Sequence, residues 1–143
     1  LFLQANPDAV FLLPVRNPMD CALSNSRKSH GRIMLGGEQG DFERVLTRLM
    51  EIVAWARALE RRHPGRVFSF TELELDEGFA DRLAAFCGLS APDSWRQDAA
   101  GLMTVEQGGY DHPPEAVELF RRLIVDKLGD DPQMQERLAR FLP

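Results

Sequence analysis

The run Phe11-Leu12-Leu13-Pro14-Val15, broken off by Arg16-Asn17-Pro18, limits the fold more than any other feature of this chain. Both faces of the run are apolar, so residues 10–15 read as a strand covered on both sides, the condition of a central strand in a parallel sheet. Pro14 has no N–H and must sit near the strand end, where the ladder needs no donor. Pro18 then suits a first helical turn, and Asp20 lies near the positive end of that helix, which is expected to run to about Ser29. A strand feeding a helix through a charged turn predicts an α/β chain.

The downstream pattern supports this. Asp41 is a natural N-cap for a long amphipathic helix with the stripe Phe42, Val45, Leu46, Leu49, Val53 and Ala56, ended by Arg61-Arg62-His63-Pro64-Gly65. Val67 to Phe70 is a short apolar strand. Strand, helical crossover and strand form a right-handed parallel unit if they share one sheet. Phe79, Leu83, Phe86 and Cys87 line a third helix closed by Gly88. Residues 90–113 read as loop-rich, as does Gly31 to Gly40. A helix carrying Val117, Phe120, Ile124 and Leu128 stops at Gly129, and a last one carries Met134, Leu138 and Phe141. With 143 residues, 44% of them hydrophobic, the chain is expected to form a single domain.

Charge narrows the classes of partner. The net charge of −5 argues against general nucleic-acid binding. Between Arg16 and Arg32, however, the local balance is +3, against 13 basic and 21 acidic residues elsewhere. A basic segment on an acidic body suits one small anionic ligand, or a basic helix face in solvent. No apolar stretch approaches the roughly 18 to 20 residues a bilayer needs, and residues 1–7 lack the pattern of a signal peptide. Cys21 and Cys87 have neither Cys-x-x-Cys spacing nor a nearby His, so free thiols in a reducing, cytoplasmic setting are expected and a metal site is not.

Arg16 and Ser24 are the candidate binding residues. The guanidinium offers a rigid fork of donors for a phosphate, and Ser24, two turns into the next helix, adds a hydroxyl. Their position beyond the carboxyl end of a strand is where ligands collect in open α/β sheets. The alternatives are structural: Arg16 paired with Asp20 across the turn, and Ser24 bonded to a carbonyl one turn earlier. Arg27, Lys28 and His30 either extend the anion site or form a solvated basic face. Gly36-Gly37-Glu38-Gln39-Gly40 is no phosphate loop, because Asp41-Phe42 follows it in place of Lys and Ser/Thr. His30, His63 and His112 show no order that nominates a catalytic base.

The segment Arg16-Asn17-Pro18 with Ser24 resembles the motif by which sulfotransferases using 3′-phosphoadenosine 5′-phosphosulfate (PAPS) hold the cofactor's 3′-phosphate. Val67 to Leu73, followed by Phe79 to Leu89 with its ending Phe86-Cys87-Gly88-Leu89, resembles the same family's strand, Glu-x-Leu and Phe-Leu-Gly-Leu run. The resemblance covers about residues 5 to 90. It implies a partial three-layer, P-loop-type sulfotransferase fold, helix-rich with a short parallel sheet, and a chain lacking the N-terminal phosphosulfate loop and the catalytic base. Two strands alone cannot cover both faces and both edges of a sheet, so either strands are hidden or the sheet continues outside these residues, and the resemblance favours the second.

The implied activity is transfer of a sulfuryl group from PAPS to a hydroxyl or amine of a small-molecule, glycan or peptide acceptor. Arg16 and Ser24 would be the cofactor-binding residues, and the catalytic residues would lie elsewhere, in a missing N-terminal half or a homo-oligomer partner. Glu72 occupies the family's acidic position after the second strand, where a capping or pairing role at the sheet end is expected. The family's basic Arg-Lys-Gly segment is absent near His112. The rival expectation is a non-catalytic, sulfotransferase-like remnant acting in binding or assembly.

Overall fold

A computed structural model of the chain describes residues 5–27, 35, 41–90, 92–102 and 110–143. Strand β1 (Phe11–Val15) leads into α1 (Pro18–Arg27), and α2 (Phe42–Arg62) crosses to β2 (Val67–Thr71). A single 3-10 turn (Glu72–Glu74) follows, then α3 (Phe79–Phe86), α4 (Asp93–Leu102), α5 (Pro114–Leu128) and α6 (Pro132–Ala139). The fold is mixed α/β and helix-rich, with a two-stranded parallel sheet among the described residues.

The strands pair in register from Phe11 opposite Val67 to Val15 opposite Thr71. Phe11 N–H donates to the Arg66 carbonyl at 2.8 Å. Because bonding directions alternate along a parallel strand, Leu13 and Val15 also face β2, while Leu12 and Pro14 direct their backbone groups to the outer edge. Pro14 thus occupies a position where β2 requires no donor from it, as the sequence predicts.

The two sheet faces are covered differently. Val67, Ser69 and Thr71 are buried, and on their side the core joins Val15 to Met19 and Ala22 of α1, Val45, Leu46 and Met50 of α2, Phe120 of α5 and Leu138 of α6. On the other side Phe68 and Phe70 pack against α3, with the Phe70 and Phe79 rings 4.7 Å apart and Phe68 stacked on Phe86 at 5.1 Å. This layer stops short of β1, where Leu12 remains 42% exposed.

Local chemistry explains the helix ends. Asp41 accepts the Arg44 N–H at 3.0 Å, the predicted N-cap of α2. Gly88, at φ 68°, takes the left-handed conformation after α3, and its N–H reaches the Ala85 carbonyl. The expected helix to Ser29 is described to Arg27. The reading of residues 90–113 as loop-rich is corrected in part: α4 occupies 93–102. Its first turns bury nothing, since residues 92–98 are all exposed. Arg96 fixes its start, bonding Asp93 at 2.6 Å and Asp81 of α3 at 2.7 Å.

A buried ionic cluster ties α2, β2 and α6 together. Arg57, 7% exposed, donates through Nε to Asp131 at 2.8 Å and through Nη1 to Glu60 at 2.6 Å. Asp131 also caps α6 by accepting the Met134 N–H at 3.0 Å, and takes Arg61 at 3.2 Å. Burial alone would raise the Asp131 pKa, but the Arg57 hydrogen bond, the Met134 N–H and the charges of Arg57 and Arg61 outweigh it and hold the carboxyl below its usual value. Arg137 of α6 seals the outer edge of β2, donating to the Ser69 carbonyl at 2.9 Å, while Glu74 accepts the Thr71 N–H at 2.6 Å.

Candidate anion-binding site

The turn between β1 and α1 is built from three side chains. Asn17 caps the helix, its Oδ1 accepting the Met19 N–H at 3.0 Å. Its own N–H donates to Glu72 Oε1 at 2.9 Å, and Arg16 Nε donates to Glu72 Oε2 at 3.2 Å. The strand register makes this pairing natural, because Arg16 and Glu72 are the residues that follow the last pair, Val15 and Thr71. Arg16 therefore pairs across the sheet end with Glu72, not with Asp20. The expected pairing role of Glu72 matches the structure.

Arg16 is mainly in solvent, its side chain 75% exposed against 17% for Glu72. The hydrogen bond and charge of Glu72 raise its pKa further, so it is a permanent cation. Only its Nε is engaged among the described residues, leaving two terminal nitrogens as donors.

Ser24 lies on α1, half-buried, one turn beyond Asp20 on the same face. The carbonyls one turn back are used by its neighbours: Asn25 Nδ2 donates to Cys21 O at 2.8 Å and Ser26 Oγ to Leu23 O at 3.1 Å. Ser24 Oγ has no partner among the described residues, so the back-bonded alternative does not occur there.

Asp20 has a partner that its sequence position conceals. His112 Nε2 lies 2.6 Å from Asp20 Oδ1, with the imidazole side chain 7% exposed and its ring 6.4 Å from that of Phe42. Beside this contact is a cleft of about 560 Å³ lined by Leu23, Arg27, Phe42, His112, Leu119 and Arg122, among others. Lys28 and His30 lie outside the described residues. His63 ends α2 through its backbone N–H, which bonds the Leu59 and Glu60 carbonyls.

Cys21 is close to the same turn but poorly suited to act as a nucleophile. Burial raises its pKa; Arg16 opposes the shift, while Glu72 and Asp20 reinforce it. A second cleft, of about 290 Å³, runs along the outer edge of β2 between Arg57, Arg137 and Phe79. Its three arginines are already matched, Arg57 by Asp131 and Glu60, Arg137 by Glu74 and Arg82 by Asp76. Among the described residues there is no group of three His, Cys, Asp or Glu placed to hold a metal, and no helix is long and apolar enough to cross a membrane.

No family model, curated protein or solved structure matches the chain.

Proposed function

We propose that this chain supplies the 3′-phosphate-binding part of a PAPS-dependent sulfotransferase-like protein of the three-layer α/β type, acting on a hydroxyl or amine acceptor. The observation that carries this reading is Arg16: a cation at the carboxyl end of a parallel strand, held among the described residues by Nε alone, with both terminal nitrogens left as donors. Ser24 adds a hydroxyl whose oxygen has no described partner. The nearby carboxylates are both engaged: Glu72 accepts from Arg16 and from the Asn17 N–H, and Asp20 Oδ1 lies 2.6 Å from His112 Nε2.

PAPS would supply the sulfuryl group. Arg16 would grip the 3′-phosphate through Nη1 and Nη2, the positive end of α1 would favour the same charge, and Ser24 would donate from the second helical turn. These contacts fix where the adenosine end lies and hence the line along which a sulfuryl group is displaced, a contribution of alignment. Neither residue exchanges a proton with the acceptor.

Isothermal titration with adenosine 3′,5′-bisphosphate tests the reading. Arg16→Ala is expected to weaken binding about 10- to 100-fold, the value of one or two charge-assisted hydrogen bonds. Equal binding by wild type and variant, or none by either, would leave the assembly reading. That second reading is favoured by one observation, the sheet face that α3 leaves uncovered at β1, where Leu12 and the preceding Val10 are each 42% exposed.

A further inference from the structure

An exposed arginine is a poor anchor unless something aims it. Free in water, the side chain samples many rotamers, and ordering it on a ligand costs conformational entropy. At the sheet end that ordering is already done. Glu72 leaves β2 beside Arg16, and its two oxygens divide their work: Oε2 takes Arg16 Nε–H at 3.2 Å and Oε1 takes the Asn17 N–H at 2.9 Å.

We propose that Glu72 is a positioning residue for Arg16, one that holds the guanidinium by its Nε corner and presents the Nη1–Nη2 end to a phosphate. This rests on the function proposed above and deepens it, since it states how the anion is approached. The guanidinium is planar, so fixing Nε restricts the plane of the whole fork. The side-on grip through Nε and one Nη is lost, and end-on recognition through both terminal nitrogens remains. Glu72 also bonds the backbone of Asn17, the residue that caps α1, so one carboxylate sets both the direction of Arg16 and the start of the helix bearing Ser24.

The opposite role, a carboxylate competing with the ligand, predicts the reverse effect of mutation. Removing a competitor tightens binding; removing a positioner loosens it. Only the phosphate held by Arg16 should feel the change, so a nucleotide without that phosphate is the internal control.

The experiment is titration of the full protein with adenosine 3′,5′-bisphosphate and, separately, with adenosine 5′-monophosphate. Glu72→Ala is expected to weaken the bisphosphate about three- to fivefold and leave the monophosphate unchanged. Arg16→Ala combined with Glu72→Ala should bind no more weakly than Arg16→Ala alone, the signature of two residues acting as one. Glu72→Gln keeps an acceptor for the Asn17 N–H and removes the charge facing Arg16. The same loss in this variant, at an unchanged melting temperature, would assign the effect to Arg16 even if Glu72→Ala failed to fold. Unchanged or tighter bisphosphate binding in either Glu72 variant, with Arg16→Ala still weakened, would overturn the positioning role and leave the function standing. Parallel losses of both nucleotides would also overturn it, by showing a general structural role. A wild-type protein that does not bind the bisphosphate, or binds it independently of Arg16, would overturn the function itself and the positioning role with it.

Discussion

Arg57 and Arg16 are both tied to carboxylates, yet they sit at opposite extremes of solvent access. Arg57 is enclosed by α2, β2 and α6, and its donors are spent on Asp131, Glu60, Ser69 and Gln133. Arg16 stands at the sheet end with one donor committed among the described residues. A buried guanidinium must be matched fully because each unmatched group costs its desolvation, whereas an exposed one can keep donors in reserve for a ligand. The first arginine belongs to folding, and the second is available for binding.

The largest effect that would sharpen this contrast is expected from Arg57→Ala. It strands Asp131, 5% exposed, without its main cation, and chemical denaturation should show a loss of about 3–5 kcal/mol. The folded fraction should bind adenosine 3′,5′-bisphosphate as wild type does. A loss below about 1 kcal/mol would break the contrast by making the enclosed cluster no more costly to disrupt than a surface pair.

Acid should separate the two sites next. The folded-state pKa of Asp131 lies below its unfolded value, so the stability it confers is fully present above about pH 4 and is lost as the pH falls through the folded pKa. Glu74 acts in the same direction: burial would raise its pKa, but hydrogen bonds from Thr71 and Arg137 and the Arg137 charge bring it below the usual value. Denaturation between pH 5 and 2 should therefore be shallower for Asp131→Asn than for wild type. A slope unchanged by the substitution would place the acid sensitivity elsewhere.

The smallest effect on stability is expected from Arg16→Ala. With three-quarters of the side chain in water, its pair with Glu72 should contribute less than about 1 kcal/mol in a thermal or urea melt. A greater loss would move Arg16 into the structural class and weaken its assignment to a ligand.

Local signals made much of the fold legible. The double-faced apolar run gave β1, Asp41 gave the start of α2, and Gly88 gave the end of α3. Helix α4 was not legible because its first half, residues 93–98, is exposed throughout, and periodicity of burial is what a sequence displays most clearly. The candidate site was legible only in part. Arg16 and Ser24 are read from spacing, and an acidic pairing role at Glu72 was foreseen, but its partner depends on the strand register. His112 and Asp20 are 92 residues apart, and Arg57 and Asp131 are 74 apart. No local pattern joins such pairs. Arg57 did leave one trace: it stands four residues after Val53 on a buried face where an apolar residue would ordinarily continue the stripe.

The position of Pro14 bears on how the protein behaves when concentrated. Arg137 and Glu74 plug the outer rim of β2, but the described residues place no such plug on β1. An exposed strand rim is a template on which further strands stack, and Pro14 removes one donor from every ladder built there. Replacing it with Val would restore that rung beside the exposed Leu12, and the isolated chain is then expected to self-associate more readily when concentrated.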